Sequence, residues 1–183
     1  MIILLLGPSG VGKTTSYELI ADEVPQCECR HLDGLASRWG VAQGWLKKES
    51  VGLLRSHIDD NQLFLAFGLE AIGAFAADHH DRHCVIDVGA GFQDARSAKY
   101  LSRIHRTIAL TGDAHAIYQR KLDHRGEDRS FEEYFAVEFS EHRRSVYNAC
   151  QHTIDTTHQS KDETADQLKA TLQQILSAEG KAG

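Results

Sequence analysis

The chain is short of proline, with Pro8 and Pro25 alone in 183 residues, and Met1 is its single methionine. So little proline leaves long stretches free to run as uninterrupted helix or strand, and excludes the Pro-rich tracts of low-complexity proteins. Long apolar runs are lacking too. The N-terminal one, Ile2 to Leu6, falls far below the roughly 20 residues of a membrane helix and carries no basic flank or cleavage signal. It reads as a strand, and the expectation is a cytoplasmic protein without membrane attachment. Cysteine is sparse and irregular: Cys27, Cys29, Cys84 and Cys150 show no repeated spacing, and Cys27-x-Cys29 lacks the two-residue gap of redox and zinc pairs. Reduced thiols are expected. Positive charge is in deficit, with 20 Lys and Arg against 26 Asp and Glu and a net charge of −6. That balance argues against nucleic acid as a partner, since a polyanion calls for a broad basic surface, and favours small ligands met by local positive charge. The expected assembly is a monomer or weak dimer.

The sequence has the 42% hydrophobic and 25% charged residues of an ordinary globular protein, at a length suited to one domain with its own core. Apolar runs of strand length alternate with amphipathic stretches of helical length, the pattern of a parallel α/β fold. Strands are expected at Ile2 to Leu6, about Glu28 to Leu32, Cys84 to Val88, Thr107 to Leu110 and Thr153 to Ile154. Short, non-alternating apolar runs suit strands covered on both faces. Phe64, Phe67, Ala71 and Phe75 recur at helical spacing, as do Ala165, Leu168, Leu172 and Ile175, with Ser160 and Glu163 spaced as a capping box. The fold expected is a single-domain, three-layer α/β/α arrangement with a five-stranded parallel sheet and a lid near residues 119–131. The domain would span 1–177, and 178–183 would be a flexible tail.

The strongest motif is Gly7-Pro8-Ser9-Gly10-Val11-Gly12-Lys13-Thr14, which fits G-x-x-x-x-G-K-[ST] and lies between an apolar run and a helical pattern from Thr15 to Ala21. Its glycines let the backbone approach phosphate oxygens and aim successive N–H groups at them. The following helix adds the positive end of its dipole, Lys13 reaches the β- and γ-phosphates, and the Thr14 hydroxyl suits Mg²⁺. The motif points to ATP with Mg²⁺, held by Gly7, Ser9, Gly10, Val11, Gly12, Lys13, Thr14 and Thr15. It does not by itself separate kinases from other nucleotide-binding classes.

Function in a parallel sheet collects at the carboxyl ends of strands. Asp33 follows the second strand, where it can take or orient the proton of an attacking hydroxyl, or cap a helix over Gly34 to Trp39; both readings stand. Asp87 ends the third strand as a magnesium-holding acid would. The next turn, Gly89-Ala90-Gly91, lets a ligand approach the backbone. From Gln119 to Arg129 the chain is polar and carries Arg120, Lys121, Arg125 and Arg129, which suits a lid closing on polyphosphate. Arg143 and Arg144 lie on the next helix, where one can grip a carboxylate or phosphate of an acceptor. Eleven histidines are present, but His79, His80 and His83 beside Asp78 and Asp81 lack a recognised metal spacing and read as a polar connection. Asp59-Asp60 reads as the first turn of a helix.

In this order of motifs the chain resembles the shikimate kinase family, small-molecule kinases within the nucleoside-monophosphate-kinase-like P-loop proteins. The resemblance implies that Asp33 touches the acceptor hydroxyl, that Gly89, Ala90 and Gly91 line the acceptor pocket, that Arg120 lies by the nucleotide and that Arg143 grips the acceptor's carboxylate. It implies catalytic roles for Lys13, Asp33 and a lid arginine, for which Arg125 and Arg129 are the candidates because the family's usual Arg-Pro is absent; the metal ligands read from the residues themselves are Thr14 and Asp87, with Asp87 as the substitute for the family's Asp. The chain departs from the family at His31, where an Asp is usual; at Leu63-Phe64-Leu65-Ala66-Phe67, which lacks a second acceptor-binding Arg; and at Ala90, in place of a glycine. The reading is an ATP-dependent kinase of a small metabolite hydroxyl. Its alternatives are a kinase of another acceptor, such as a nucleotide, sugar acid or drug hydroxyl, and a nucleotide-binding regulator with little transfer activity.

Overall fold

The computed structural model describes residues 1–80, 82–93 and 105–179; the side chains of Asn61, Ala90, Arg125 and Glu179 fall outside the description. Five strands, β1 (Ile2–Leu6), β2 (Cys27–His31), β3 (His83–Asp87), β4 (Arg106–Thr111) and β5 (His152–Asp155), form one sheet in the order β2-β3-β1-β4-β5. Every pairing is parallel, with Leu4 opposite Ile86 on one side and Thr107 on the other. Parallel neighbours need crossover connections, and the helices supply them: α1 (Lys13–Ile20), α2 (Leu32–Ala42), α3 (Val51–His57), α4 (Asn61–Asp78), α5 (Ala114–Arg125), α6 (Phe131–Glu138), α7 (Glu141–Asn148) and α8 (Lys161–Glu179).

The sheet divides the core in two. Ile2, Leu4 and Leu6 point with Ile86 toward Leu35, Phe64, Phe67 and Ile72 of α2 and α4. Ile3 and Leu5 point the other way, with Val85, Ile108 and Leu110, toward Tyr17, Ile117, Leu168 and Leu172. β1 is buried along its whole length, which is why its five residues are apolar without alternation. The edge strands differ from the expectation of two-sided cover. In β2 Cys27 is buried while His31 is exposed, and in β5 Ile154 is the buried member, because an edge strand has a neighbour on one side only.

Strand boundaries fall within two residues of the expected ones. The helical stripes of α4 and α8 face the core as their spacing requires, with Phe75 only partly buried, and Ser160 and Glu163 close the expected capping box at the start of α8 with bonds of 3.2 and 2.8 Å. Asp60 caps α4, its Oδ1 accepting from the amides of Gln62 and Leu63. α8 runs to Glu179, so 178–179 are helical, and 180–183 lie outside the described residues.

The polar stretch expected as a lid is largely helix. Asp113 caps α5 through a 3.0 Å bond from Ala116 N, no Pro or Gly interrupts 114–125, and Gly126, at φ 70°, ends the helix. Only 126–130 form a connection, before Ser130 caps α6.

Candidate active site at the phosphate-binding loop

The loop after β1 turns through Gly7, Gly10 and Gly12, at φ 144°, 89° and 104°. A side chain at Gly10 would also meet Lys121 Cβ at 2.8 Å, so the loop's close fit against α5 depends on glycine. Gly12 precedes α1 directly, so the helix's free N–H groups face the loop's opening. Lys13 is buried, and its ammonium donates to Gly7 O at 2.9 Å and Pro8 O at 3.3 Å, which holds positive charge over the loop.

A cleft of about 710 Å³ opens above this loop, lined on one side by Ser9 to Ser16 and on others by His31, Asp33, Asp87 and Gly89. Arg120, Lys121 and His124 of α5 and the segment Gln159 to Lys161 complete the wall. The volume lies within the roughly 300–1,000 Å³ of small-ligand sites. Of the sequence-selected residues, Ser9, Gly10, Val11, Gly12, Lys13, Thr14, Thr15, Asp33, Asp87, Gly89 and Arg120 share this cleft.

Asp87 is buried at the end of β3, and its Oδ2 accepts a 2.6 Å bond from the Thr14 hydroxyl and lies 3.5 Å from His31 Nδ1. A hydroxyl and a carboxylate oxygen side by side, next to the phosphate loop, are the hard-oxygen donors that Mg²⁺ takes. The residues present therefore fit that ion.

Asp33 is the second residue of α2, and His31 holds the N-cap position without a side-chain bond. Capping is thus not the role of Asp33, and its carboxylate faces the cleft. Gly89 lies so close to it that a Cβ there would come within 2.8 Å of Asp33 Oδ1. Asp33 stays accessible along the cleft, yet loss of hydration between the walls, with Asp87 as a second carboxylate, pushes its pKa up; His31 and Lys13 oppose the rise. Arg120 donates through Nη2 to Thr156 Oγ1 at 3.0 Å, which ties α5 to the end of β5.

Arg143, expected at an acceptor's carboxylate, is paired within the protein. Its Nη1 donates to Oε2 of buried Glu138 at 2.5 Å, so its guanidinium is committed to a carboxylate of the protein's own. Arg144 is exposed, and the side chains of Arg125 and Ala90 lie outside the described residues. Arg129 is held by Glu127, through bonds of 2.9 and 2.8 Å; Lys121 joins it there, and the two cations hold the Glu127 carboxyl down at about 2. Among the described residues no group of three or more His, Cys, Asp or Glu is placed to hold a metal, His79, His80 and His83 included, and all four cysteines are free; Asp81 lies outside the described residues.

Sequence reasoning missed Glu138, Tyr134 and Gln93. Tyr134 donates to Ser9 O at 2.7 Å, and Gln93 Nε2 donates to both Gly7 O and Val88 O. Their signal is contact between segments far apart in the chain, which no local pattern carries.

No family model and no curated protein matches the sequence. Solved structures do match the fold. A shikimate kinase from Bacteroides thetaiotaomicron superposes with a TM-score of 0.66 at 18% identity, over 94% of this chain and 98% of that one. One from Aquifex aeolicus gives 0.62 at 15%, over 100% and 98%. One from Acinetobacter baumannii, in complex with shikimate, gives 0.60 at 17%, over 97% and 93%. With its parallel sheet and phosphate loop, the chain has the shikimate kinase fold.

Proposed function

We propose that the protein is an ATP-dependent kinase that transfers the γ-phosphoryl group to a hydroxyl of a small molecule. The observation that carries this reading is the convergence of Lys13, Thr14, Asp87 and Asp33 on one cleft, three suited to a metal-bound triphosphate and the fourth to an attacking hydroxyl. Thr14 and Asp87 would hold Mg²⁺, which when bound neutralises phosphate charge. Loop N–H groups and the start of α1 bind the phosphates, and Lys13 follows the charge that develops as the bond to the leaving ADP breaks. Asp33 accepts the proton of the acceptor hydroxyl as its oxygen bonds to the γ-phosphorus. Arg120 would lie by the nucleotide.

The acceptor is read as something other than shikimate. Arg143 is engaged by Glu138, and Phe64 and Phe67, in the segment where a second arginine was looked for, are buried, Phe64 stacked on Phe92 at 4.4 Å. Of the two arginines that the resemblance looks for, one is thus paired within the protein and the other has no counterpart in its segment, where Arg55 of α3 instead stands over the Phe64 ring at 4.6 Å. The test is ADP release from Mg-ATP, alone and with a panel containing shikimate, sugar acids, nucleoside monophosphates and uncharged alcohols. Stimulation by one member supports a kinase and names its acceptor class. Tight ATP binding without stimulation by any member favours a nucleotide-dependent regulator.

A further inference from the structure

Ser9, the third residue of the phosphate loop, has both backbone polar groups taken by one helix. Its carbonyl accepts from Tyr134 Oη at 2.7 Å, and its N–H donates to Glu138 Oε2 at 3.1 Å. Tyr134 and Glu138 stand four apart on α6, hence on one face of it. Glu138 is only 3% exposed, and a carboxylate so buried needs a counter-charge. Arg143 supplies it at 2.5 Å on the same oxygen that Ser9 uses, while Arg129 Nη1 stands 3.9 Å from Oε1.

We propose that Glu138 is a positioning residue for the phosphate loop, and that Arg143 serves ATP binding as the counter-ion that lets this carboxylate sit there. Two consequences follow from charge. Without Arg143, the buried carboxylate one hydrogen bond from the loop is left with the more distant Arg129, itself shared with Glu127, and its excess negative charge opposes the incoming triphosphate. With both charges removed together, the opposition disappears, and a Gln at 138 still offers an oxygen to Ser9 N–H.

The inference rests on the nucleotide-binding half of the proposed function alone, so it is tested by binding and not by transfer. Calorimetric titration with Mg-ATP compares the parent protein with Arg143→Ala, Glu138→Gln and the double variant. Arg143→Ala is expected to weaken ATP binding about tenfold or more, and the double variant to return to within about threefold of the parent. Unchanged ATP affinity in Arg143→Ala, or no recovery in the double variant, overturns the proposal. Should Arg143→Ala not fold, Glu138→Ala, which leaves no acceptor for Ser9 N–H, is read by amide hydrogen exchange without nucleotide. Faster exchange at Ser9, with the β1 amides unchanged, supports the anchor, and unchanged protection at Ser9 overturns it. A protein that binds ATP in this pattern yet phosphorylates nothing would defeat the kinase reading and leave this one standing.

Discussion

The Thr14 hydroxyl donates a 2.6 Å hydrogen bond to Oδ2 of Asp87, joining the first turn of α1 to the end of β3 across the mouth of the phosphate loop. The two residues share a site because β1 and β3 are hydrogen-bonded neighbours, with Leu5 opposite Asp87. If they hold Mg²⁺ together, Asp87→Asn lowers the Mg²⁺ affinity of the ATP complex by about 10- to 100-fold. ATP binding measured in EDTA should barely change. Equal Mg²⁺ dependence in variant and parent would remove Asp87 from the metal site.

Lys13→Ala removes the buried cation that spans the loop's carbonyls. Under the kinase reading the charge it follows grows in the transition state, so the turnover rate falls by about 10²- to 10³-fold, the scale of losing one preorganised charge-stabilising group. Single-turnover kinetics at saturating ATP separate this loss from weaker binding. A rate constant within a few-fold of the parent would refute the role.

Asp33 carries a pH signature. Its pKa is raised in the folded protein by lost hydration and by Asp87, so the proton-accepting form appears only above the usual carboxylate value of about 4. The acid limb of kcat/KM should lie above that value and vanish in Asp33→Asn. For stability, an acid with a raised folded-state pKa contributes most when protonated, below its unfolded pKa, and loses that contribution as pH rises through the folded pKa. The Tm of Asp33→Asn relative to the parent should therefore climb as pH rises from about 4 through the raised folded-state pKa. A difference that is flat with pH would show that the environment of Asp33 costs nothing on ionisation.

Patterns of short range were legible in the sequence, and contacts of long range were not. The phosphate loop, the β1 run and the stripes of α4 and α8 each lie within a dozen or so neighbouring residues, so periodicity and turn chemistry expose them. Asp33 and Asp87 were findable because strand ends in parallel sheets face one edge. Polarity concealed the helical form of the stretch expected as a lid, although α5 has a capping Asp113, a terminating Gly126 and no helix breaker between them. Glu138 could not be found, since its importance comes from Ser9 and Arg143, brought to it by the fold.

Gly89 offers the sharpest test of geometry near the acceptor. Alanine there would place Cβ 2.8 Å from Asp33 Oδ1, too close to stand, so the carboxylate must turn away or the turn after β3 must shift. A misplacement of about 1 Å at a reacting group can cost on the order of 10²-fold in rate. Gly89→Ala should thus lower turnover by about 10- to 100-fold. ATP affinity should stay within about threefold, because α6 and α5 hold the loop at Ser9 and Gly10, and the bond from the segment after β3 to Gly7 comes from Gln93, four residues beyond Gly89. Gly34→Ala is the control: it lies beside Asp33 in α2, a Cβ there meets nothing within 4 Å, and alanine suits a helix better than glycine. In a Gly89→Ala/Asp33→Asn double variant the losses should overlap rather than multiply, since both act through one carboxylate. Fully multiplicative losses would separate Gly89 from Asp33 and assign the turn a contact of its own with the acceptor.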